Sequence, residues 1–254
     1  MEVQILGCGT SSGVPRVGND WGKCDPSNPK NRRRRVSILV RYGDTRILVD
    51  TGPDLREQLL DADVADVEAV IWTHDHADHC HGIDDLRQLY HGRGRAVAGY
   101  ARRDTLDSLQ RRFGYAFEGK DGYPAVVSPN LLPDHINLGG ISVRTVDQPH
   151  GAITTAGLRF DAGGRTLVYS TDFNELTPEM AMTFQGADLW ILDTLRRWPH
   201  PTHPHLPQSL EWIAEVRPAR ALLTHMDNTM DYETLLGELP PDVEPAYDGQ
   251  EIAL

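Results

Sequence analysis

The sequence predicts one mixed domain of the α/β (α+β) class, in which strands are more numerous than helices. Short apolar runs alternate with turns rich in Gly, Pro, Asp and Asn, a pattern typical of strands. Only a few segments place apolar residues at the spacing of a helix. Within 254 residues there is no repeat at a fixed period and no low-complexity linker, so a single domain over residues 1–254 is the simplest prediction.

Each predicted strand is a short apolar run that ends at a turn, and each predicted helix is a segment with helical periodicity. The predicted strands are residues 3–6, 36–41, 47–50, 67–73, 96–100, 141–146, 156–161, 165–171, 189–193, 219–224 and 251–254. The predicted helices are residues 53–61, 81–90, 102–113, 177–184 and 206–216. The segment 105–138 is rich in Gly, Tyr, Phe and Pro and is predicted to be a lid or insertion.

Composition and charge exclude several classes of function. The hydrophobic content of 39% and the charged content of 24% are typical of a soluble globular protein. No apolar stretch approaches the roughly 18 to 20 residues of a membrane-spanning helix, so no membrane partner is expected. A formal charge of -12 argues against a large nucleic acid as partner, because such binding needs Lys and Arg to neutralise phosphates.

The ends and the cysteines of the chain predict a cytoplasmic protein. The N-terminus lacks a basic segment followed by a long apolar one, and three scattered cysteines do not form a disulfide framework. A small phosphorylated substrate remains compatible with the acidic chain, because the arginine run 32–35 or a pair of metals can supply a local positive field. The sequence does not determine the oligomeric state, and a homodimer is allowed.

Residues 73–79 are the strongest candidate for a metal site. Three histidines and two aspartates lie within these seven residues, directly after the apolar run 69–72. Their side chains cannot all lie on one face of a strand or helix, so the chain must turn here for them to converge. A solvated polar turn is the alternative, and the density of ligand-type residues argues against it.

Further ligand-type residues follow later predicted strands. His150, Asp172 and His225 each stand at or just beyond the carboxyl end of an apolar run. Any one of them alone is more often a cap or a surface residue. Their joint recurrence at strand ends indicates a shared site at one edge of the fold.

Together these residues resemble the signature of the metallo-β-lactamase superfamily of hydrolases, and the resemblance covers nearly the whole chain. The signature is H-x-H-x-D-H followed by a distant His, Asp and His. Its seven positions are filled by His74, His76, Asp78, His79, His150, Asp172 and His225. The resemblance implies an αββα sandwich of two mixed β-sheets flanked by helices, with a two-metal site on one edge.

The resemblance also implies how the ligands are shared. One metal would be held by His74, His76 and His150, the other by Asp78, His79 and His225, with Asp172 between them. Asp50 is similar to the family's buried aspartate, which orients a ligand imidazole. Nitrogen and oxygen ligands suit zinc or manganese. Two divalent ions lower the pKa of a shared water, and Asp78 would both bind metal and orient the resulting hydroxide.

Within the superfamily the closer resemblance is to the phosphodiesterase branch. The start of the chain, 6–15, is similar to that branch's opening strand and glycine-rich turn, where Ser11 or Ser12 could contact a phosphate. The histidine-rich stretch 198–206 lies where that branch places a histidine that protonates the leaving group. The order His-Leu-x-x-x-Leu favours His205 as this general acid, and His203 is the rival.

Two weaker candidates for substrate contact are Arg87, after the metal motif, and Tyr115, although packing is the commoner role of such an aromatic residue. A structural zinc site is not predicted. The cyclic-phosphate enzymes of the branch build one from closely spaced cysteines and a later histidine. Here the corresponding segment offers only Cys24, and Asn228 stands near the place of the histidine.

The sequence therefore predicts a metal-dependent hydrolase of phosphodiesters. Its acidic charge favours small cyclic or nucleotide-like substrates over long nucleic acids. Attack would come from a hydroxide held by two metals. Two alternatives stay open: a thioester or lactone hydrolase on the same scaffold, and a non-catalytic metal or nucleotide sensor. A sensor that had lost turnover should have lost ligands, and none is missing.

Overall fold

The computed structural model describes residues 1–254 and arranges them as two β-sheets of seven strands each. The strands are β1 (Glu2–Gly7), β2 (Ser37–Tyr42), β3 (Thr45–Val49), β4 (Ala69–Ile71), β5 (Val97–Ala101), β6 (Val127–Leu131), β7 (His135–Leu138), β8 (Ile141–His150), β9 (Ile153–Ala162), β10 (Arg165–Ser170), β11 (Leu189–Asp193), β12 (Ala221–Thr224), β13 (Val243–Pro245) and β14 (Glu251–Ala253). The helices are α1 (Leu55–Asp61), α2 (Ala77–Cys80), α3 (Leu86–Arg93), α4 (Arg103–Arg112), α5 (Gly114–Glu118), α6 (Pro178–Phe184), α7 (Leu206–Val216) and α8 (Tyr232–Glu238). None of these helices combines the length and the apolar character needed to cross a membrane.

The two sheets have matching topology. The first has the strand order β14-β1-β2-β3-β4-β5-β6, and the second has the order β13-β12-β11-β10-β9-β8-β7. In the first sheet, pairing is antiparallel from β14 to β3 and parallel from β3 to β6. In the second, it is antiparallel from β7 to β10 and parallel from β10 to β13. Both sheets are therefore mixed, as predicted, and each has a parallel half whose carboxyl ends lie at one edge.

The main core lies between the sheets. It is a cluster of 40 buried residues to which both sheets contribute, for example Val40 from the first and Phe160 from the second. A second cluster of 21 residues joins the first sheet to α1, α3 and α4. On the second sheet, the α6 residue Phe184 packs against Trp190, with ring centroids 5.6 Å apart. Helices thus cover the outer face of both sheets, and the predicted αββα sandwich is confirmed.

The helix predicted over 81–90 is interrupted in the structure. The chain forms the short helix α2, then a 3-10 turn at Ile83–Asp85, and then α3. The reason is a close backbone approach at Gly82, whose N–H donates to the Thr51 carbonyl at 2.8 Å. A side chain at this position would meet the carbonyl oxygen of Gly52, so only glycine permits the contact.

The segment 105–138, predicted to be a lid or insertion, forms helices and strands that belong to the sandwich. It contains most of α4, all of α5, and the edge strands β6 and β7 of the two sheets. Leu106, Leu109 and Phe117 are buried in the second core cluster. Most of the segment therefore belongs to the framework of the fold, and the longest stretch outside its helices and strands is 119–126.

Asp248 ties the first strand to the arginine run 32–35. One carboxylate oxygen accepts the backbone N–H of Cys8 at 3.0 Å, and the other accepts the backbone N–H of Arg34 at 2.7 Å. Burial raises the pKa of Asp248 to about 7 in spite of these donors. The folded protein therefore holds a proton that the unfolded chain, with a carboxyl pKa near 4, releases at lower pH.

A pH-dependent stability follows from this shift. Because the folded-state pKa is raised, the contribution of Asp248 is most favourable below about pH 4 and declines as pH rises toward about 7. We expect the unfolding free energy of the wild-type protein, relative to Asp248→Asn, to fall by on the order of 2 kcal/mol between pH 5 and pH 8. Urea unfolding at several pH values measures this slope. Parallel curves for the two proteins would show that Asp248 is already ionised at pH 5.

Candidate metal centre

The candidate metal ligands meet at the edge where the parallel strands end. His74 follows β4, His150 ends β8, Asp172 follows β10 and His225 follows β12. Asp172 and His225 have φ angles of 54° and 58°, in the left-handed region that few non-glycine residues adopt. Such backbone conformations recur where a fold holds a functional side chain in place. The predicted convergence of these strand ends is what the structure shows.

One group of candidate ligands consists of His74, His76, His150 and Asp172. Their ligand atoms all lie within 4.8 Å of one another. The Asp172 Oδ2 atom is 3.8 Å from His74 Nε2 and 3.7 Å from His150 Nε2. His76 is the exposed member of the group, and the other three residues are buried.

A second group consists of Asp78, His79 and His225, again with ligand atoms within 4.8 Å of one another. The other carboxylate oxygen of Asp172, Oδ1, faces this group, at 3.2 Å from His79 Nε2 and 3.6 Å from His225 Nε2. Asp172 therefore directs one oxygen to each group. A carboxylate in this position can bind two cations at once.

The polar atoms at the centre fit a divalent metal. The Nε2 atoms of His74, His79 and His225 are buried and have no hydrogen-bond partner within the protein. Unpaired buried polar atoms are costly, and they are rare unless an ion, a water or a ligand satisfies them. Neutral imidazole nitrogens and carboxylate oxygens are a donor set that zinc and manganese both accept.

The electrostatic field of the centre favours a cation. Burial alone would lower the pKa of His225, but the carboxylates of Asp172, Asp193 and Asp78 outweigh burial and raise this pKa to about 9. Burial also opposes the charge of Asp172, whereas His225, His79 and His74 hold the pKa of its carboxyl well below the usual range. The carboxylate of Asp172 thus keeps its negative charge, which favours a cation at the centre.

Asp50 orients two of the candidate ligands. Its Oδ2 atom accepts a hydrogen bond from His79 Nδ1 at 2.8 Å and another from the Thr73 hydroxyl at 2.8 Å. Since that hydroxyl donates to Asp50, its oxygen accepts from His74 Nδ1, which lies 3.1 Å away. In both rings the Nε2 lone pair is left free to face the centre. Asp50 is fully buried, in agreement with the orienting role proposed from the sequence.

The structure brings His203, and not His205, to the centre. His203 Nδ1 donates to Asp193 Oδ2 at 2.7 Å, its Nε2 atom is 3.8 Å from Asp172 Oδ2, and its ring stacks on that of His225 at 4.8 Å. His205 instead occupies the N-cap position of α7, and its Nδ1 atom lies 3.4 Å from Gln208 Oε1. The choice of His205 over its rival is therefore corrected.

Asp193 is a site residue that the sequence analysis missed. It ends β11 and is fully buried, and its Oδ2 atom also accepts the backbone N–H of Asp172 at 3.1 Å. It thus links the bridging position to His203. A signal was available, because the predicted strand 189–193 ends in an aspartate and the predicted strand 165–171 is directly followed by one.

The weaker candidates for substrate contact divide into two locations. Ser11 and Ser12 are exposed in a turn that is anchored beside His225, through the Thr10 N–H bond to the Met226 carbonyl at 3.1 Å. Arg87 and Tyr115 line a separate cavity of about 240 Å³, which contains none of the candidate metal ligands. Arg87 pairs there with Asp84. The structure therefore does not place Arg87 or Tyr115 at the metal centre.

The segment around Cys24, for which no structural zinc is predicted, is held by the buried guanidinium of Arg33. Arg33 is only 2% exposed and donates to the carbonyls of Met230 at 2.6 Å and Asp227 at 3.3 Å. Its Nη1 atom lies 3.8 Å from Cys24 Sγ. The Asn228 amide donates to Asp20 Oδ2 at 3.1 Å. These contacts fasten the chain that follows His225 to the N-terminal segment.

Comparison with known proteins agrees with this geometry. Residues 45–226 match the family model described as "Beta-lactamase superfamily domain". The chain belongs to this superfamily. Membership and the ligand groups together support a hydrolase with a metal site.

The chain is similar to three known proteins over nearly its whole length. An octanoyltransferase of Porphyromonas gingivalis is 31% identical over 259 residues, which cover 99% of this chain and 51% of that protein, so the chain spans about half its length. The crystal structure of a diphosphatase from the PhnP family is 33% identical, with a TM-score of 0.91 and coverage of 99% of this chain and 96% of that one. Zn(2+)-bound PqqB from Methylobacterium extorquens has a TM-score of 0.79 at 21% identity over the whole of both chains and shows the shared fold.

Proposed function

We propose that the protein is a metal-dependent phosphodiesterase with two divalent cations, zinc or manganese, at the centre. The observation that carries the proposal is the position of Asp172, whose two carboxylate oxygens face two separate groups of ligands. The first cation would be held by His74, His76 and His150, and the second by Asp78, His79 and His225. When bound, a pair of cations supplies Lewis acidity toward a phosphoryl oxygen and a water of lowered pKa.

The residues of the chain supply the remaining steps. Asp78 lies at the rim of the centre, with Oδ2 3.6 Å from His225 Nε2, and is placed to accept a hydrogen bond from the attacking water. His203 donates the proton that the departing oxygen needs. Its Nδ1 atom is hydrogen-bonded to Asp193, and this bond orients the ring so that Nε2 is directed at the centre. The ring is buried except for 11% of its side-chain surface, so its position is held by packing.

The substrate proposed is a small phosphorylated molecule with a diester linkage, cyclic or nucleotide-like. The similarity to a diphosphatase over nearly the whole chain supports chemistry at phosphorus and favours a diphosphate linkage as a second candidate. The chain is also similar to an octanoyltransferase, of which it covers about half. An acyl substrate such as a thioester or lactone is therefore the alternative.

A substrate panel tests this proposal. Zinc-loaded and manganese-loaded protein would be incubated with cyclic phosphodiesters, linear dinucleotides, nucleoside diphosphate esters, thioesters and lactones, each with and without a chelator. We expect chelator-sensitive hydrolysis of one of the phosphorus substrates. Hydrolysis confined to thioesters or lactones would contradict the proposal. Tight metal binding without turnover of any member would favour a sensor.

A further inference from the structure

A groove of about 1070 Å³ opens beside the metal centre. It lies between α4, the segment 131–134 and the tip of the β8–β9 hairpin at 149–154, and we refer to it as the α4 groove. Its lining residue Asp75 stands between two candidate ligand histidines, and Gly151 directly follows a third. No candidate ligand lines the groove itself, but Asp75 and Gly151 place it next to the first ligand group, and its volume is that of a site for an organic ligand.

The walls of the α4 groove are held by hydrogen bonds near the centre. The Asp75 carboxylate accepts the Ser108 hydroxyl at 2.5 Å and Arg112 Nη1 at 3.3 Å. On the opposite wall, the Gly151 N–H donates to the side chain of Asn174 at 3.1 Å. These contacts lie within the protein itself and hold the two walls of the groove in place.

The three arginines that line the groove are not equivalent. Arg102 is bound by Asp134 and Asp147, at 2.8 Å each. Arg103 lies 3.4 Å from Asp107. Arg111 is exposed and has no carboxylate within 4.0 Å. In a chain with a net charge of -12, this guanidinium is left free for an anionic ligand.

The position of Arg111 also favours binding of an anionic ligand in the groove. It lies one helical turn beyond Ser108, on the face of α4 that lines the groove. The adjacent Arg112 contacts both Asp75 and His81, so this end of α4 faces the metal-binding segment. The unpaired lining carboxylate, Asp104, lies about 10 Å farther along the helix. The groove thus presents a positive charge on the side near the centre.

We propose that the α4 groove binds the part of the substrate that does not react, and that Arg111 binds a second phosphate carried by that part. The inference rests on the proposed function and specifies its substrate as a phosphodiester with a further anionic group. A guanidinium binds a phosphate through two parallel charge-assisted hydrogen bonds, which gives both affinity and orientation. Diesters without the second phosphate would be turned over at the same centre but held less tightly.

Binding of two nucleotides to the zinc-loaded protein tests the inference without turnover. Thymidine 3′,5′-bisphosphate and thymidine 5′-monophosphate differ by one phosphate, and calorimetry measures both affinities. We expect the wild-type protein to bind the bisphosphate about tenfold more tightly, and Arg111→Ala to lose this preference. Arg46→Ala is the matched control, since Arg46 is also exposed, has no carboxylate partner and lies on β3 away from the groove.

Two outcomes would overturn the inference: no preference in the wild-type protein, or an unchanged preference in Arg111→Ala. Turnover of the p-nitrophenyl esters of thymidine 5′-phosphate, with and without a 3′-phosphate, separates this result from the proposed function. If Arg111→Ala raises KM about tenfold only for the ester with the 3′-phosphate, the proposed function and the role of Arg111 are both supported. If neither ester is hydrolysed and the binding preference still depends on Arg111, the proposed function fails and the groove assignment holds.

Discussion

His203→Ala lowers the turnover of a phosphodiester with an alkoxide leaving group by about 100-fold or more, the usual contribution of a general acid. The reason is that an alkoxide leaves poorly without a proton, and the His203 Nε2 atom lies 3.8 Å from Asp172 Oδ2, where it can donate one. A p-nitrophenyl ester, whose leaving group needs no proton, should be hydrolysed at nearly the wild-type rate. Turnover numbers for a thymidylyl dinucleotide and for the p-nitrophenyl ester of thymidine 5′-phosphate measure the two effects.

His205→Ala is the matched control for this prediction. The two histidines are separated by one residue, but His205 occupies the N-cap position of α7 and its side chain contacts Gln208. Its loss should leave both rates within about threefold of wild type. Equal losses on both substrates in His203→Ala would assign this residue to metal binding, and a larger loss in His205→Ala would return the general-acid role to the residue favoured by the sequence.

Asp172→Asn reduces the bound metal from two ions per chain to one or fewer and lowers diester turnover by more than about 100-fold. Asparagine keeps the size of the side chain and tolerates the left-handed backbone at this position, where φ is 54°. It replaces one of the two carboxylate oxygens that face the ligand groups by an amide nitrogen, which does not bind a cation. Elemental analysis of the purified variant gives the metal content, and the rise in Tm on addition of zinc should shrink with it.

Asp188→Asn controls for the loss of a carboxylate from the same sheet. Asp188 precedes the opposite, amino end of β11 and pairs with Arg165 at 2.9 Å. Its variant should keep both metals and full turnover, at a modest cost in stability. If Asp172→Asn retained two ions per chain, the carboxylate would not be the bridge between the ligand groups.

The ligand residues could be predicted from the sequence because of where they stand. Side chains that follow parallel strands meet at one edge, so the apolar runs before Asp172 and His225 already imply that the two lie close together. The turn at 73–79 adds a local signal, since its side chains converge only if the chain bends. The sandwich fold was implied by the family resemblance, whereas the strand pattern by itself predicted only a single mixed domain.

The histidine proposed as general acid could not be predicted in the same way. His203 is selected by a hydrogen bond to Asp193, a residue ten positions away, and by stacking on His225. These contacts depend on how the loop before α7 folds onto the sheet edge. Sequence order alone favoured His205 because it directly precedes the helix, and in the structure that residue occupies the N-cap position of α7.

The strands that the sequence analysis missed lie mainly at sheet edges. β6 has the sequence VSPNL, in which a proline and an asparagine hide the strand pattern, and β7 is only four residues long. An edge strand has one unpaired side and needs neither full burial nor regular alternation, so its signal is weak. This is why the segment 105–138 resembled an insertion, although it supplies an edge strand to each sheet.

Titration of metal into the chelator-treated protein, with diester hydrolysis followed at each step, tests most directly whether a two-metal centre acts on phosphodiesters. Turnover should be absent without metal and should rise with zinc or manganese until two ions are bound per chain, because Asp172 faces two ligand groups. Asp172→Asn should not reach this plateau. Full hydrolysis at one ion per chain, or hydrolysis that persists in the metal-free protein, would contradict a dinuclear phosphodiesterase.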